Sequence, residues 1–370
     1  MQYLLSVVVP TKNRYPYLKH LIQYIKSFDT DDLELVIQDN TAENAELVDF
    51  IKENNYPHLK YYHTKESIPV GLNSDKAILN STGEYVCLIG DDDGITPDLI
   101  EQIKQMKELG YDSMITRNAT YNWPDYKDDS LFRLTGAMTV DKANGKNEDI
   151  DVQSELNRVS KTGFLNIGKL PKVYQAVVRR SVLDKIYEKC GTFFPGPSPD
   201  MANAIALTCF VNKVWYNDHP TIITGQCRSV GGGERLMDKL LPLNEIQHLP
   251  KDILTYWDEK LPNLWCSDTI WPGSASIAAK RMGIEVYMDY NQIYGRFVFA
   301  HPSYRNVINE FKHNRFSVSY HKNKLYVKKT YKWLLNRITY LLSGKKRIQR
   351  QFVYRDLRTI KEAGSTLMSI

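Results

Sequence analysis

The 370-residue sequence lacks several features that define common protein classes. Its five cysteines are scattered and form no CxxC pair of the kind found in zinc sites, so we predict reduced thiols in a cytosolic protein. No stretch approaches the roughly 18 uninterrupted apolar residues of a membrane-spanning helix. No GxGxxG or GxxxxGKS/T loop follows the first apolar run, which argues against a dinucleotide-dependent oxidoreductase or a P-loop NTPase.

The overall composition is that of a globular protein, with 42% hydrophobic and 25% charged residues. The length allows one large domain with an appendage, or two domains. The net charge of +5 is unevenly distributed. Residues 312–361 contain fifteen Lys or Arg and one acid, a local charge of +14, which leaves −9 on the rest of the chain. The two regions should therefore have different partners.

Short apolar runs alternate with segments of helical periodicity over the first 120 residues. Strands are predicted at residues 4–9, 33–37, 59–63, 85–89 and 113–117, with helices between them. The N-terminal run is too short for a signal peptide and is interpreted as the first strand. This alternation predicts a mostly parallel sheet with right-handed crossovers.

Polar residues follow three of these strands at the point where each strand ends. They are Pro10, Thr11, Asn13 and Arg14 after the first strand, Asp39 and Asn40 after the second, and Asp91, Asp92 and Asp93 after the fourth. Because the carboxyl ends of parallel strands share one edge of the sheet, these residues can line one crevice.

The three consecutive aspartates are the most informative stretch. On an extended backbone, Asp91 and Asp93 would converge on one point while Asp92 faces the other way. Carboxylate oxygens suit Mg²⁺ or Mn²⁺, which proteins usually share with the phosphates of a substrate. A solvated acidic turn is the alternative, but the position directly after a buried strand favours a ligand site.

A second informative segment delivers Asp200 to the first turn of an apolar helix predicted over residues 201–210. The loop before it, residues 193–199, is rich in proline and glycine. One interpretation is that Asp200 caps the helix. Backbone donors at the cap would also keep the carboxylate ionised and oriented.

The segments SVVVPTKNR, ELVIQDN and GLNSDKAILNSTGEYVCLIGDDD occur in this order. Together they resemble the nucleotide-binding half of a family 2 glycosyltransferase with the GT-A fold. The resemblance covers about the first 120 residues and implies a Rossmann-like α/β fold, a mostly parallel sheet flanked by helices. Residues 1–120 would bind the nucleotide sugar, and residues 121–235 would form the acceptor side of the catalytic domain. A helical region, 236–370, would follow, with a basic amphipathic tail at about 312–361.

The resemblance also implies roles for individual residues. Asp93, with Asp91, would bind Mn²⁺ or Mg²⁺, and Asp200 would be the general base of an inverting reaction. Gly90 occupies the place where many members carry the first acid, so the choice of metal ligand among the three aspartates stays open. The residues expected around the donor nucleotide and its diphosphate are Pro10, Thr11, Asn13, Arg14, Asp39, Asn40, Lys76, Asp91, Asp92 and Arg228.

Several of these residues have an alternative interpretation. Arg14 and Arg228 could be exposed surface residues, Asp39 could form an Asx-turn, and Lys76 could be a solvated helix charge. Arg228 precedes three consecutive glycines, and a mobile loop there could close over the donor. Residues 216–225 resemble the family's short strand pair beneath the acceptor site.

The expected function is inverting, metal-dependent glycosyl transfer in surface polysaccharide or O-antigen assembly. The donor would be a nucleotide diphosphate sugar, a UDP-sugar by default, and the acceptor a saccharide or lipid-linked saccharide. A sugar nucleotidylyltransferase is one alternative, but it should carry a GxGxR-type loop where this chain has PTKNR. A non-catalytic saccharide- or membrane-binding protein is the other.

The tail predicts a basic amphipathic helix on an anionic membrane surface, because Leu, Ile and Trp recur between lysines. We therefore expect a peripheral location at the cytoplasmic face of the cell membrane. An RNA-binding tail is a less favoured alternative, and no nucleic acid is expected as a partner. A helix packed on its own domain, or on a second copy in a homo-oligomer, is the third interpretation.

Overall fold

The computed structural model describes residues 3–126, 134–228, 240–246, 249, 253–343 and 351–370. The strands are β1 (Leu5–Thr11), β2 (Leu33–Asp39), β3 (Leu59–His63), β4 (Tyr85–Leu88), β5 (Gly94–Ile95), β6 (Ser113–Thr116), β7 (Ala119–Asn122), β8 (Ala137–Asp141), β9 (Glu148–Ile150), β10 (Val177–Arg179), β11 (Val214–Asn217), β12 (Ile222–Gln226) and β13 (Gln351–Tyr354). The α-helices are α1 (Tyr15–Lys26), α2 (Ala45–Asn54), α3 (Val70–Leu79), α4 (Asp98–Glu108), α5 (Val152–Ser160), α6 (Arg180–Cys190), α7 (Pro199–Leu207), α8 (Ile253–Tyr256), α9 (Ser267–Met282), α10 (Tyr290–Ala300), α11 (Arg315–Ser343) and α12 (Ile360–Met368).

An eight-stranded sheet in the order β3-β2-β1-β4-β10-β6-β11-β9 forms the centre of the molecule. The strands β3, β2, β1 and β4 run parallel, and β10 inserts antiparallel between β4 and β6. Alternate residues of β1 enter two cores, since Val7 packs with Leu18 of α1 and Val8 packs with Ile78 of α3. Both faces are therefore covered by helices, which explains the continuous apolar run. The predicted α/β architecture is confirmed.

A second sheet, in the order β13-β8-β7-β12-β5, lies beside the first. The expectation that residues 216–225 form a strand pair is wrong. β11 pairs with β6 and β9 in the central sheet, whereas β12 pairs with β5 and β7 in the second. The chain thus changes sheets between these strands, and β12 brings Gly225 to the segment that follows β4.

The C-terminal region is helical, as predicted. α9 packs on α7, and α11 packs on α10. Residues 351–370 return to the N-terminal part, where β13 pairs antiparallel with β8. α12 packs on α1 so closely that a Cβ atom on Gly364 would lie 1.8 Å from the Tyr24 hydroxyl oxygen. The domain division at residue 235 stays a prediction. Among the described residues, no helix is both long and apolar enough to cross a membrane.

Candidate active site

The loop after β1 meets the segment after β4 at the carboxyl edge of the central sheet. Thr11 donates a hydrogen bond of 2.6 Å from Oγ1 to Asp91 Oδ2. Arg14 lies between two carboxylates, with Nε 3.1 Å from Asp91 Oδ1 and Nη2 2.8 Å from Asp92 Oδ2. The structure therefore brings together the predicted Thr11, Arg14 and aspartate residues, although they are about 80 positions apart in sequence.

The three aspartates lie in a turn and not on an extended strand. The Asp93 N–H donates to the Gly90 carbonyl oxygen at 3.2 Å, because the strand ends at Leu88. The prediction that Asp92 faces away from its two neighbours is therefore wrong. Arg14 contacts Asp91 and Asp92 together, and Asp93 is directed to different partners.

Asp93 accepts hydrogen bonds at every position that a carboxylate offers. Oδ2 accepts from the Gly90 N–H at 2.7 Å and from Gln175 Nε2 at 3.0 Å. Oδ1 accepts from the Gly225 N–H at 2.7 Å and from Gln175 Nε2 at 3.1 Å. A carboxylate has about four lone-pair sites. The predicted role of Asp93 as the main metal ligand does not fit this environment, since a metal would have to displace one of these donors.

Two residues that hold Asp93 were missed at the level of sequence. Gln175 adopts a left-handed backbone with φ of 55°, and its Oε1 accepts from Thr224 Oγ1 at 3.0 Å. Gly225 approaches so closely that a Cβ atom there would lie 1.9 Å from the Asp92 carbonyl oxygen. No sequence signal marks a left-handed Gln, whereas a Gly within a strand does suggest close approach of another backbone.

The aspartate cluster carries more negative charge than its surroundings neutralise. Burial raises the pKa of Asp91 to about 6 against the effect of Arg14, and the neighbouring Asp93 carboxylate adds to the shift. Burial and the neighbouring carboxylates also raise the pKa of Asp92, and they raise that of Asp93 to about 6. Asp91 Oδ1 is buried, and among the described residues it has the ion pair with Arg14 Nε but no hydrogen bond. Oxygen donors and excess negative charge fit a hard divalent cation held by Asp91 and Asp92, which would replace Arg14 at these oxygens.

Asp200 is the second residue of α7, and Ser198 occupies the N-cap position. The carboxylate makes no hydrogen bond to any described residue, so the helix-cap interpretation and the expected backbone donors are both wrong. Burial raises the pKa of Asp200, opposed by Lys172 and reinforced by Asp93. Tyr174 lies near both Asp93 and Asp200, because the negative charges of these two residues add to burial in raising the pKa of its hydroxyl. Asp200 therefore lies near the aspartate turn.

The loop that carries Asp200 is anchored at both ends. At its start, Asp75 of α3 accepts from Thr192 Oγ1 at 2.7 Å and from the Phe193 N–H at 2.8 Å. At its end, the Ser198 N–H donates to Ser274 Oγ at 2.7 Å.

One turn after Asp200, the side chain of Asn203 ties α7 to the segments around it. Its Nδ2 donates to the Phe193 carbonyl oxygen at 3.0 Å, and its Oδ1 accepts from the Val173 N–H at 2.9 Å. Asn203 therefore links the loop before α7 to the segment that contains Tyr174 and Gln175.

The residues around β2 have structural partners. The fully buried Asp39 accepts from the hydroxyls of Tyr15 at 2.7 Å and Tyr61 at 2.9 Å. Its other oxygen accepts from the Thr41 N–H at 2.8 Å, which is the Asx-turn interpretation. Asn40 donates to the carbonyl oxygens of Thr64 and Glu66.

The remaining predicted residues lie at the margins. Pro10 precedes Thr11 on β1, and Asn13 adopts a left-handed φ of 60°. Lys76 is half-buried on α3, and Arg228 is exposed at the end of a described segment. Neither forms an ion pair with a carboxylate in the part of the chain that the structure describes. The three glycines after Arg228 fall outside the described residues.

A second cluster of potential metal ligands lies in the helical region. Ligand atoms of Cys266, Asp268 and His301 lie within 4.8 Å of one another. Asp268 is already paired, with Arg296 Nε 3.0 Å from Oδ1 and His301 Nε2 3.6 Å from Oδ2. Burial raises the pKa of the Cys266 thiol to about 11. These contacts describe a partly exposed polar network centred on the buried Asp268.

Comparisons with known proteins identify relatives of part of the chain. Residues 6–164 match the family model of glycosyl transferase family 2. The chain is 29% identical over 110 residues to the Campylobacter jejuni GalNAc(5)-diNAcBac-PP-undecaprenol beta-1,3-glucosyltransferase. It is 26% identical over 140 residues to Glycosyltransferase GlyG of Streptococcus pneumoniae. These alignments span 29% and 37% of this chain but only 35% and 45% of the relatives, less than half of their length.

The fold is also similar to a solved structure. The crystal structure of S. aureus TarS 1-349 in complex with UDP-GlcNAc superimposes with a TM-score of 0.50 over 82% of this chain and 73% of that chain. At 15% identity this likeness bears on the fold alone. Residues 6–164 are therefore similar to glycosyl transferase family 2, and the architecture is of the GT-A type.

Proposed function

We propose that the protein is a glycosyltransferase that moves a sugar from a nucleotide diphosphate sugar to a saccharide acceptor with inversion at the anomeric carbon. One observation carries the proposal. The aspartate turn with Arg14 lies close to the partly buried Asp200, since the charge of Asp93 helps to raise the pKa of Asp200, and Asp200 makes no hydrogen bond to a described residue.

Asp200 is proposed as the general base. Its raised pKa makes the carboxylate a stronger base than an ordinary aspartate, and its oxygens, which accept no hydrogen bond from the described residues, can accept one from an acceptor hydroxyl. Deprotonation of that hydroxyl lets its oxygen attack the anomeric carbon on the face opposite the departing nucleoside diphosphate. Tyr174 and Lys172 border this carboxylate and would orient it.

The donor is proposed to lie over the aspartate turn. Asp91 and Asp92 would hold Mn²⁺ or Mg²⁺, which when bound stabilises the negative charge of the leaving diphosphate. In the structure Arg14 pairs with these two carboxylates and donates to Cys227 Sγ, and with a metal at the carboxylates its guanidinium would pair with the diphosphate instead. We propose a UDP-sugar as donor, the kind of ligand present in the TarS structure.

The acceptor is proposed to be a lipid-linked saccharide in surface polysaccharide assembly. The name of the Campylobacter jejuni relative describes a saccharide on PP-undecaprenol. Such an acceptor would place this protein at the cytoplasmic face of the membrane, a location that α11 supports independently.

A screen of nucleotide sugars tests the proposal. Release of free nucleoside diphosphate is measured with Mn²⁺, with Mg²⁺ and with a chelator, on the wild type and on Asp92→Asn. We expect release that requires a divalent ion and falls at least about 100-fold in the variant. Formation of nucleotide sugar from a sugar phosphate would instead indicate a nucleotidylyltransferase, and nucleotide binding without release for any donor would indicate a non-catalytic protein.

A further inference from the structure

The helix α11 spans 29 residues, about 43 Å at 1.5 Å per residue, and one side of it packs on the described part of the protein. In its first half, Val318 is buried and His321 and Leu325 are half-buried against α10. The contact is close, since a Cβ atom on Gly295 of α10 would lie 2.7 Å from His321 Cβ. This side of α11 therefore faces the body of the protein.

The opposite side of α11 carries an exposed apolar stripe, at spacings of three, four and seven residues. Its members are Phe316, Tyr320, Val327, Tyr331, Leu334, Ile338 and Leu341, with exposures from 44% to 89%. At about 100° per residue, they fall within an arc of roughly 80° and extend over about 38 Å. A continuous exposed stripe of this length marks an interaction surface.

Charge decides which partner fits this surface. The segment 315–343 contains seven Lys or Arg and no acid. Lys324 and Lys328 border the stripe on one side, Arg337 borders it on the other, and all three are exposed. A second copy of α11 would bring like charges together with no carboxylate to pair them. A nucleic acid would neutralise the charge but leave the aliphatic side chains in water.

We propose that α11 docks on an anionic lipid surface, with the stripe inserted at the boundary between head groups and acyl chains. The bordering lysines and Arg337 then contact lipid phosphates while the apolar side chains leave water. This inference rests on the proposed function only for its purpose, which is to bring the crevice to a lipid-linked acceptor. The docking itself is a property of α11.

Vesicle co-sedimentation of the full-length protein tests the proposal. The vesicles are phosphatidylcholine alone, or phosphatidylcholine with about 30% phosphatidylglycerol, at about 0.05 M and about 0.5 M salt. The stripe variant combines Val327→Gln, Leu334→Gln and Leu341→Gln, because Gln keeps helix propensity. The control replaces three exposed aliphatic residues elsewhere, with Val70→Gln, Leu109→Gln and Leu254→Gln.

We expect the wild type and the control to sediment with anionic vesicles and the stripe variant to bind at least about tenfold more weakly. High salt should weaken wild-type binding without abolishing it. Wild-type protein that stays in the supernatant at low salt would overturn the proposal. So would a concentration-dependent dimer that disappears in the stripe variant, since the stripe would then be a protein interface. UDP binding by calorimetry, measured without lipid, separates this outcome from failure of the proposed function.

Discussion

Replacement of Gln175 tests whether Asp93 supports the site. The Gln175 amide donates to both oxygens of Asp93, and its own oxygen accepts from Thr224. Gln175→Ala removes these contacts and leaves Asp93 with the N–H groups of Gly90 and Gly225. Gln175→Gly removes the same contacts but tolerates the left-handed φ of 55°.

Gln175→Ala should be the less stable of the two variants. A hydrogen bond to a charged group contributes about 1.5–3 kcal/mol, so Gln175→Ala should lower the free energy of unfolding by about 2–3 kcal/mol. A left-handed backbone costs a residue with a Cβ atom about 1–2 kcal/mol, partly offset by the greater chain entropy of Gly in the unfolded state. Gln175→Gly should therefore be about 0.5–1 kcal/mol more stable than Gln175→Ala.

The assays are urea unfolding and calorimetric titration of UDP with Mn²⁺. The exposed Gln105 in the middle of α4 is the matched control, because there the Gly variant should be about 1 kcal/mol less stable than the Ala variant. Both Gln175 variants should weaken UDP binding at least about tenfold, about 1.4 kcal/mol. The reasoning would be refuted if Gln175→Ala were as stable as the wild type, or if Gln175→Ala were more stable than Gln175→Gly.

Three further predictions concern neighbouring residues. Burial raises the pKa of Asp75 to about 6, so protonation of this carboxylate stabilises the fold. Relative to Asp75→Asn, the free energy of unfolding of the wild type should fall by about 2 kcal/mol as the pH rises from about 4 to about 7. Parallel pH profiles in urea unfolding would contradict this. Gly225→Ala should lower the free energy of unfolding by about 1–3 kcal/mol and weaken UDP binding, because the added Cβ atom would overlap the Asp92 carbonyl oxygen. Gly71→Ala is the control for urea unfolding and for UDP titration, because no atom lies within 4 Å of its Cβ position. Asp92→Asn should abolish the part of the UDP affinity that depends on Mn²⁺, with little change in the free energy of unfolding. If the wild type binds UDP equally well with and without Mn²⁺, the proposed metal site is excluded.

Much of the fold follows from local patterns. The apolar runs place β1, β2, β3 and β4 to within one or two residues, and Gly110 and Gly191 end their helices with φ of 72° and 67°. Strand alternation also predicts that Arg14 and the aspartates share an edge. The directions in which the three aspartate side chains point were not predictable, because they depend on the residue at which β4 ends. One residue of difference converts an extended strand into a turn.

The contacts that complete the site come from distant parts of the chain. Gln175 precedes a short strand that inserts antiparallel, and Gly225 belongs to a different sheet. β13 has only four residues, and its pairing with β8 joins positions about 210 apart. None of these long-range contacts leaves a periodic signal in the sequence. Asp39, which was expected beside the donor nucleotide, accepts from two tyrosine hydroxyls that the sequence pattern could not assign.

The central claim is that Asp200 removes the proton from an acceptor hydroxyl. Its direct test compares Asp200→Asn with the wild type for sugar transfer and for donor binding, using Asp184→Asn on the exposed face of α6 as the control. We predict that transfer falls at least about 100-fold in Asp200→Asn while the Kd for the nucleotide donor changes less than about threefold, and that the control matches the wild type. Transfer near the wild-type rate in Asp200→Asn would contradict the account.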